Sequence, residues 1–193
     1  MLQISQYPNI LNESECDFII KIASDKMKKA TVVGDDSPDG YRTAEMCWIA
    51  DDGVGILDKV KQRVSYYSGL PIENQELPHI VKYDIGGKYD AHFDYFDSTH
   101  DPHGAHIDFS GNRTHSFLIY LNENFKGGET YFDIVDIKIN PKMGMGLMWN
   151  NIIDDYLLEE SSHAGLPIIE GVKWILIIWV RQYSTIPPNK SVI

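Results

Sequence analysis

The pattern of apolar and polar positions divides the chain into a helical first third and a strand-rich remainder. Asn12-Glu13-Ser14-Glu15 has the spacing of a capping box, a short polar side chain followed three residues later by Glu. Phe18, Ile19, Ile22 and Ala23 then recur at helical period. The spacing predicts a helix that ends near 28–30, with Lys26, Lys28 and Lys29 at the negative end of its dipole. The run GDDSPDG at 34–40 is turn-rich and reads as a mobile loop, and 41–50 reads as a strand. A second helix is predicted from Asp51 or Asp52 to Ser68, because Ile56, Val60, Val64 and Tyr67 share one face. Gly69 and Pro71 stop it.

From Leu77 onward the periodicity changes. Strands are expected at 78–83, 89–94, 115–121, 129–132, 137–140, 146–149, 160–164 and 172–182. Gly127-Gly128, Asn140-Pro141 and Lys142-Met143-Gly144 supply turns between them. The stretch 175–180 is almost wholly apolar, which predicts a central strand covered on both faces. Short strands behind two amphipathic helices fit a mainly β fold with flanking α, a double-stranded β-helix or jelly roll. The expected organisation is one domain over 1–193, with helical support at about 12–70 and a jelly-roll core at about 76–183. The Pro-rich tail, TIPPNKSVI, is expected to fray.

Composition narrows the classes. A chain of 193 residues can bury one substantial core. Its formal net charge of −11 argues against a nucleic-acid partner, which needs a basic surface, but leaves a basic peptide open. Cys16 and Cys47 form no Cys-x-x-Cys pair and read as small buried hydrophobes. The N-terminus lacks a basic, then apolar, leader, and no apolar run reaches membrane-spanning length. The expected location is therefore cytoplasmic, with no membrane partner. Glu159-Glu160 reads as a solvated turn.

The candidate chemistry begins at His92-Phe93-Asp94. In an extended strand alternate side chains share a face, so an imidazole and a carboxylate two residues apart can grip one metal ion. His163 is the candidate third ligand, and two His with one carboxylate make the facial triad of non-haem Fe(II) oxygenases. A second His-x-Asp exists at His106-Ile107-Asp108, in a run broken by Pro102, Gly104 and Gly111. The first pair is preferred because it follows Tyr83-x-x-Gly86-x-x-Tyr89 and has matching partners late in the chain. His100, His103 and His106 would align only on a helix, which Pro102 and Gly104 oppose. That run is expected to be a mobile loop near the barrel mouth. Lys173 precedes Trp174 and an apolar run, so its ammonium is expected to point into the barrel. A buried Lys is costly unless it meets an anion, and the local strand pattern supplies no acid. An anionic ligand is the economical partner.

Taken together these motifs resemble the prolyl 4-hydroxylases, a branch of the Fe(II)- and 2-oxoglutarate-dependent dioxygenases. The carrying residues are Arg42-Thr43, the Tyr83 to Asp94 run, Tyr120-Leu121-Asn122, Gly127-Gly128-Glu129-Thr130, and His163-Ala164-Gly165 with Lys173-Trp174 ten residues after His163. The resemblance implies that His92, Asp94 and His163 bind Fe(II), and that Lys173 binds the distal carboxylate of 2-oxoglutarate. It further implies that Tyr83 and Thr130 hydrogen-bond that cosubstrate, and that Arg42, Tyr89 and Trp179 line the groove for a proline-containing peptide or protein. Ascorbate is the reductant it implies, and succinate and CO2 are the products. Ala91 departs from the Pro often found before the first ligand, and His115 and Ser116 replace residues that are often small or Thr. The same chemistry on a free amino acid or another protein side chain remains an alternative. So does a non-catalytic jelly roll that binds a metal or a small acid.

Overall fold

The structure is a computed structural model and describes residues 1–30, 40–99, 107 and 109–187. The expected loops at 34–39 and around His100, His103, His106 and Asp108 lie outside the described residues, as does the end of the tail. In chain order the strands are β1 (Ile4–Tyr7), β2 (Lys28–Lys29), β3 (Arg42–Thr43), β4 (Glu45–Trp48), β5 (His79–Tyr83) and β6 (Lys88–His92). They continue as β7 (Arg113–Tyr120), β8 (Lys126–Gly127), β9 (Thr130–Phe132), β10 (Ile137–Ile139) and β11 (Gly146–Asn150). The last are β12 (Ile152–Ile153), β13 (Tyr156–Leu157), β14 (His163–Gly165), β15 (Ile168–Glu170) and β16 (Lys173–Arg181). The helices are α1 (Glu13–Ser24) and α2 (Ile56–Ser68).

The capping box forms as its spacing predicts. The Asn12 side chain accepts from the Glu15 amide at 2.9 Å, and the Glu15 carboxylate accepts from the Asn12 amide at 3.0 Å. The helix is shorter than expected, ending at Ser24 instead of 28–30. Lys28 and Lys29 instead pair with Met46 and Glu45, so the edge of β4 takes backbone that the lysine-rich pattern assigns to the helix. The start of α2 also moves, from 51–52 to Ile56. Asp52 caps it across a loop, its carboxylate accepting from the Val54, Gly55 and Leu57 amides at 2.9, 2.6 and 2.5 Å. Gly55 is left-handed at φ 79, a conformation that a continuing helix cannot contain.

Two antiparallel sheets face each other. The larger runs β1-β11-β7-β16-β5-β4-β2 and the smaller β10-β9-β14-β6-β3. The single strand expected over 41–50 is two: β3 pairs with β6 in the smaller sheet, and β4 pairs with β5 in the larger. The chain changes sheets at Ala44, which ties the two layers together beside Arg42. This is the double-stranded β-helix that the strand pattern predicts. β1, β8, β12, β13 and β15 were not among the expected strands. All are short, and three have only two residues, too few for a readable period.

β16 is buried along its whole length, between β7 and β5. Leu176, Ile178 and Val180 pack with α1 and α2 residues such as Ile19, Val60 and Val64. Ile175, Ile177 and Trp179 alternate with them and join Val81, Leu118, Phe132 and Trp149 between the sheets. Truncating one such fully buried aliphatic side chain to Ala costs about 2–5 kcal/mol. Cys16 and Cys47 are buried and free, as expected. Among the described residues no helix is long and apolar enough to cross a membrane.

Candidate active site

The smaller sheet carries the two histidines. β14 pairs with β6 so that His163 stands directly opposite His92. β6 ends at His92, and Asp94 lies in the bend beyond it. Strand alternation is therefore not what brings His92 and Asp94 together: the bend turns the carboxylate back toward both rings. Asp94 Oδ1 lies 3.7 Å from His92 Nε2, and Asp94 Oδ2 lies 3.6 Å from His163 Nε2. Among the described residues these three form the one cluster of His, Cys or acidic ligand atoms, all within 4.8 Å of one another.

Each ring is fixed from behind. His92 Nδ1 sits 2.8 Å from the Asp90 carbonyl, and His163 Nδ1 sits 2.9 Å from the Ser161 carbonyl. A carbonyl only accepts, so each Nδ1 carries the proton and each Nε2 presents its lone pair to the cluster. Tyr89 stacks on His92 with centroids 3.5 Å apart, and the Arg42 guanidinium lies 4.5 Å from the Tyr89 ring centre.

Burial alone would raise the Asp94 carboxyl. His163, His92, Arg113 and a hydrogen bond from Ser116 outweigh it and hold the group at about 2. Burial, with His163 nearby, pushes His92 down to about 3. At neutral pH the cluster thus presents an ionised, 4 % exposed carboxylate beside an uncharged ring. Two imidazole nitrogens and one carboxylate, closely spaced and anionic, suit a divalent transition metal. By donor type, tautomer and charge, the residues fit Fe(II).

All nine residues singled out in the sequence line one cavity: Arg42, Tyr83, Tyr89, His92, Asp94, Thr130, His163, Lys173 and Trp179. Lys173 and Tyr83 are register partners on β16 and β5, while Thr130 comes from the smaller sheet opposite. Lys173 is 2 % exposed, and burial pulls its ammonium down to about 7, with only Glu129 acting to raise it. Its Nζ donates to the Gly128 carbonyl at 2.6 Å. The partner is a backbone oxygen, and it leaves further ammonium protons for an anion. Thr130 Oγ1 lies 2.7 Å from the Tyr120 hydroxyl, and Arg42 hydrogen-bonds Tyr83.

Several residues of the site were not assigned a role from sequence. Ser116 donates to Asp94 Oδ2 at 2.5 Å and accepts from Asn151 Nδ2 at 2.9 Å. Arg113 forks onto Glu76 at 2.7 and 2.8 Å, reaches the Asp94 carbonyl at 3.3 Å, and lies 3.8 Å over the Trp179 ring. The available signal was a polar side chain inside an apolar strand, Ser116 within HSFLIYL.

The family model of the 2OG-Fe(II) oxygenase superfamily matches residues 78–181 of this chain. The chain is 32% identical over 204 residues to the probable prolyl 4-hydroxylase 4 of Arabidopsis thaliana, covering 92% of this chain and 67% of that one. It belongs to the prolyl 4-hydroxylase family. Another member, the prolyl 4-hydroxylase subunit alpha-2 of Gallus gallus, is 30% identical over 191 residues, and there the match covers 93% of this chain but 34% of the relative. The chain thus spans about a third of that subunit's length. The fold of the family is seen in the viral collagen prolyl hydroxylase of Paramecium Bursaria Chlorella virus-1, in its 2OG complex. That structure superposes with a TM-score of 0.74 at 24% identity, covering 92% of this chain and 95% of the other. A Trichoplax adhaerens prolyl hydroxylase in complex with a hypoxia inducible factor peptide fragment gives 0.68 at 15% identity, covering 92% and 83%.

Proposed function

We propose that this chain is a 2-oxoglutarate-dependent dioxygenase that hydroxylates peptidyl proline and releases succinate and CO2. The observation that carries the proposal is the shared cavity: the His92, Asp94, His163 cluster and the buried Lys173 ammonium open onto the same space. A metal site alone would fit many proteins. A metal site with a buried cation in the same cavity fits a metal-bound dicarboxylate cosubstrate.

In this reading His92, Asp94 and His163 hold Fe(II). Fe(II) with 2-oxoglutarate and dioxygen supplies the oxidising chemistry when bound, and the protein's part is to orient and to exclude water. Lys173 binds the distal carboxylate with a charge-assisted hydrogen bond. Thr130 and Tyr83 hold oxygens of the same molecule, each backed by a neighbour, Tyr120 and Arg42 respectively. The aliphatic walls, Val81, Leu118, Ile175 and Ile177, keep bulk water out and so strengthen those polar contacts. Arg42, Tyr89 and Trp179 line the route by which a peptide reaches the metal. Trp179 offers an aromatic face for a pyrrolidine ring, held in place by the Arg113 guanidinium stacked on it. Ascorbate serves as reductant.

The test is mass spectrometry of proline-rich peptides after incubation with Fe(II), 2-oxoglutarate and ascorbate. The expected result is the gain of one oxygen atom on proline, dependent on 2-oxoglutarate. Oxygen gained only on a free amino acid or on another side chain would keep the chemistry and discard the substrate. Tight 2-oxoglutarate binding with no succinate under any of these conditions would make the chain a small-acid binder.

A further inference from the structure

Asp94 is held by a buried relay. Ser116 is fully buried on β7, directly opposite Trp179 on β16 and Trp149 on β11. Its hydroxyl has one proton. The 2.5 Å contact to Asp94 Oδ2 uses that proton, because an ionised carboxylate can only accept. The Ser116 oxygen is then an acceptor, and Asn151 Nδ2 donates to it at 2.9 Å. The direction of both bonds is thereby fixed, from Asn151 to Ser116 to Asp94.

Asn151 has no evident structural reason to be polar. It is fully buried, and among the described residues its Oδ1 finds no hydrogen-bond partner. An orphaned buried carbonyl oxygen is destabilising. The backbone bonds of Asn151, from its amide to Thr114 and to its carbonyl from Leu158, would survive any side chain. An apolar residue would thus fill the position without that cost. What the amide does supply is its N–H bond to Ser116.

We propose that Ser116 and Asn151 are positioning residues that hold Asp94 Oδ2 away from the metal, leaving Oδ1 as the one coordinating oxygen. A short charge-assisted bond on Oδ2 uses one of that oxygen's two lone pairs and restrains the carboxylate's rotation, which favours metal binding through Oδ1. A carboxylate that binds through one oxygen takes one coordination position, and so leaves room for a two-point cosubstrate and dioxygen. Bonds behind a ligand of this kind typically change metal affinity by 10–100-fold. The inference rests on His92, Asp94 and His163 being the metal ligands.

The experiment is an anaerobic titration of Fe(II), and of Mn(II), into wild type, Ser116→Ala, Ser116→Thr and Asn151→Ala, with thermal unfolding of each metal-free protein alongside. Ser116→Ala is expected to weaken metal binding by about tenfold or more, and Ser116→Thr, which keeps the hydroxyl, to restore most of it. Asn151→Ala is expected to weaken binding by a few-fold while leaving the metal-free melting temperature unchanged or higher. A structure of Mn(II)-loaded Ser116→Ala should show both Asp94 oxygens on the metal. Unchanged affinity in Ser116→Ala, or equal loss in Ala and Thr, would overturn the relay. If Ser116→Ala does not fold, Asn151→Ala decides the question by affinity alone. A wild-type protein that binds neither metal would overturn the ligand assignment itself, a result separate from any difference among the variants.

Discussion

His163 and His92 face each other as register partners across β14 and β6, and their ring centroids lie 4.3 Å apart. Their positions are set by sheet pairing and by carbonyls behind each ring, none of which needs a metal. His92→Ala should therefore abolish Fe(II)-dependent succinate formation while leaving circular dichroism and the melting temperature close to wild type. His106→Ala, in the other His-x-Asp pair, should keep most of the activity. Equal loss in both variants would show that His92-Phe93-Asp94 is not the pair that holds the metal.

Lys173 should dominate cosubstrate affinity. Losing one partner of a buried charge pair costs on the order of 3 kcal/mol or more, and about 1.4 kcal/mol is a factor of ten. Lys173→Ala should thus raise the 2-oxoglutarate dissociation constant by about a hundredfold or more, with Fe(II) binding little changed. Lys173→Arg keeps charge but is longer and forked, so it should recover only part. Following the metal-to-ligand charge-transfer band during anaerobic titration checks this, and an unchanged constant in Lys173→Ala would remove Lys173 from the site.

The same residue gives a pH signature. Burial holds Lys173 at about 7 in the folded chain, against about 10.4 for a free lysine. Between those values the unfolded chain binds the extra proton, so stability should rise with pH across that window. Below about pH 7 both states are protonated and the burial cost is complete. Urea midpoints taken across the window should climb more steeply in wild type than in Lys173→Met. Cosubstrate affinity should move the other way, weakening as pH rises through about 7, because the ammonium is the form that binds a carboxylate.

Gly128 should resist substitution. It is left-handed at φ 69, and an added Cβ would collide with Ile168 Cδ1 and come 3.1 Å from Lys173 Cδ. Gly128→Ala should lower stability by about 1 kcal/mol or more from backbone strain. Through the carbonyl that holds Lys173 it should also weaken 2-oxoglutarate binding. Binding at wild-type strength in Gly128→Ala would show that this carbonyl does not set the ammonium's position.

Glu76 joins two guanidiniums, Arg113 at 2.7 Å and Arg181 at 3.1 Å. Glu76→Ala leaves both without that carboxylate, and should destabilise by about 3 kcal/mol or more, read as a lower urea midpoint at unchanged slope. Because Arg113 also stacks on Trp179, the peptide KM should rise more than the 2-oxoglutarate dissociation constant. A variant with wild-type stability and peptide KM would make this cluster a bystander.

What the sequence determined by itself follows from short-range rules. Asn12 and Glu15 announced the start of α1, Gly69 the end of α2, and the apolar run at 175–180 a strand covered on both sides. Residue type and spacing also marked His92, Asp94, His163 and Lys173, because few side chains can hold a metal or a buried dicarboxylate, while the other five cavity residues were implied only by the resemblance to the prolyl 4-hydroxylases. Tertiary structure decided the rest. Lys28 and Lys29 left the helix because β4 offered their backbone a partner, a contact no local pattern records. The split at Ala44 arose because one strand had to serve two sheets. Asp94 meets His92 through a bend, where strand alternation alone would have left the carboxylate's direction open. Ser116 and Asn151 carry no motif: each is an ordinary polar residue until pairing of β7 with β11, and the turn after β11, bring them behind Asp94. Hydrogen bonds between residues distant in the chain depend on register and on the packing of two layers, and those are properties of the folded whole.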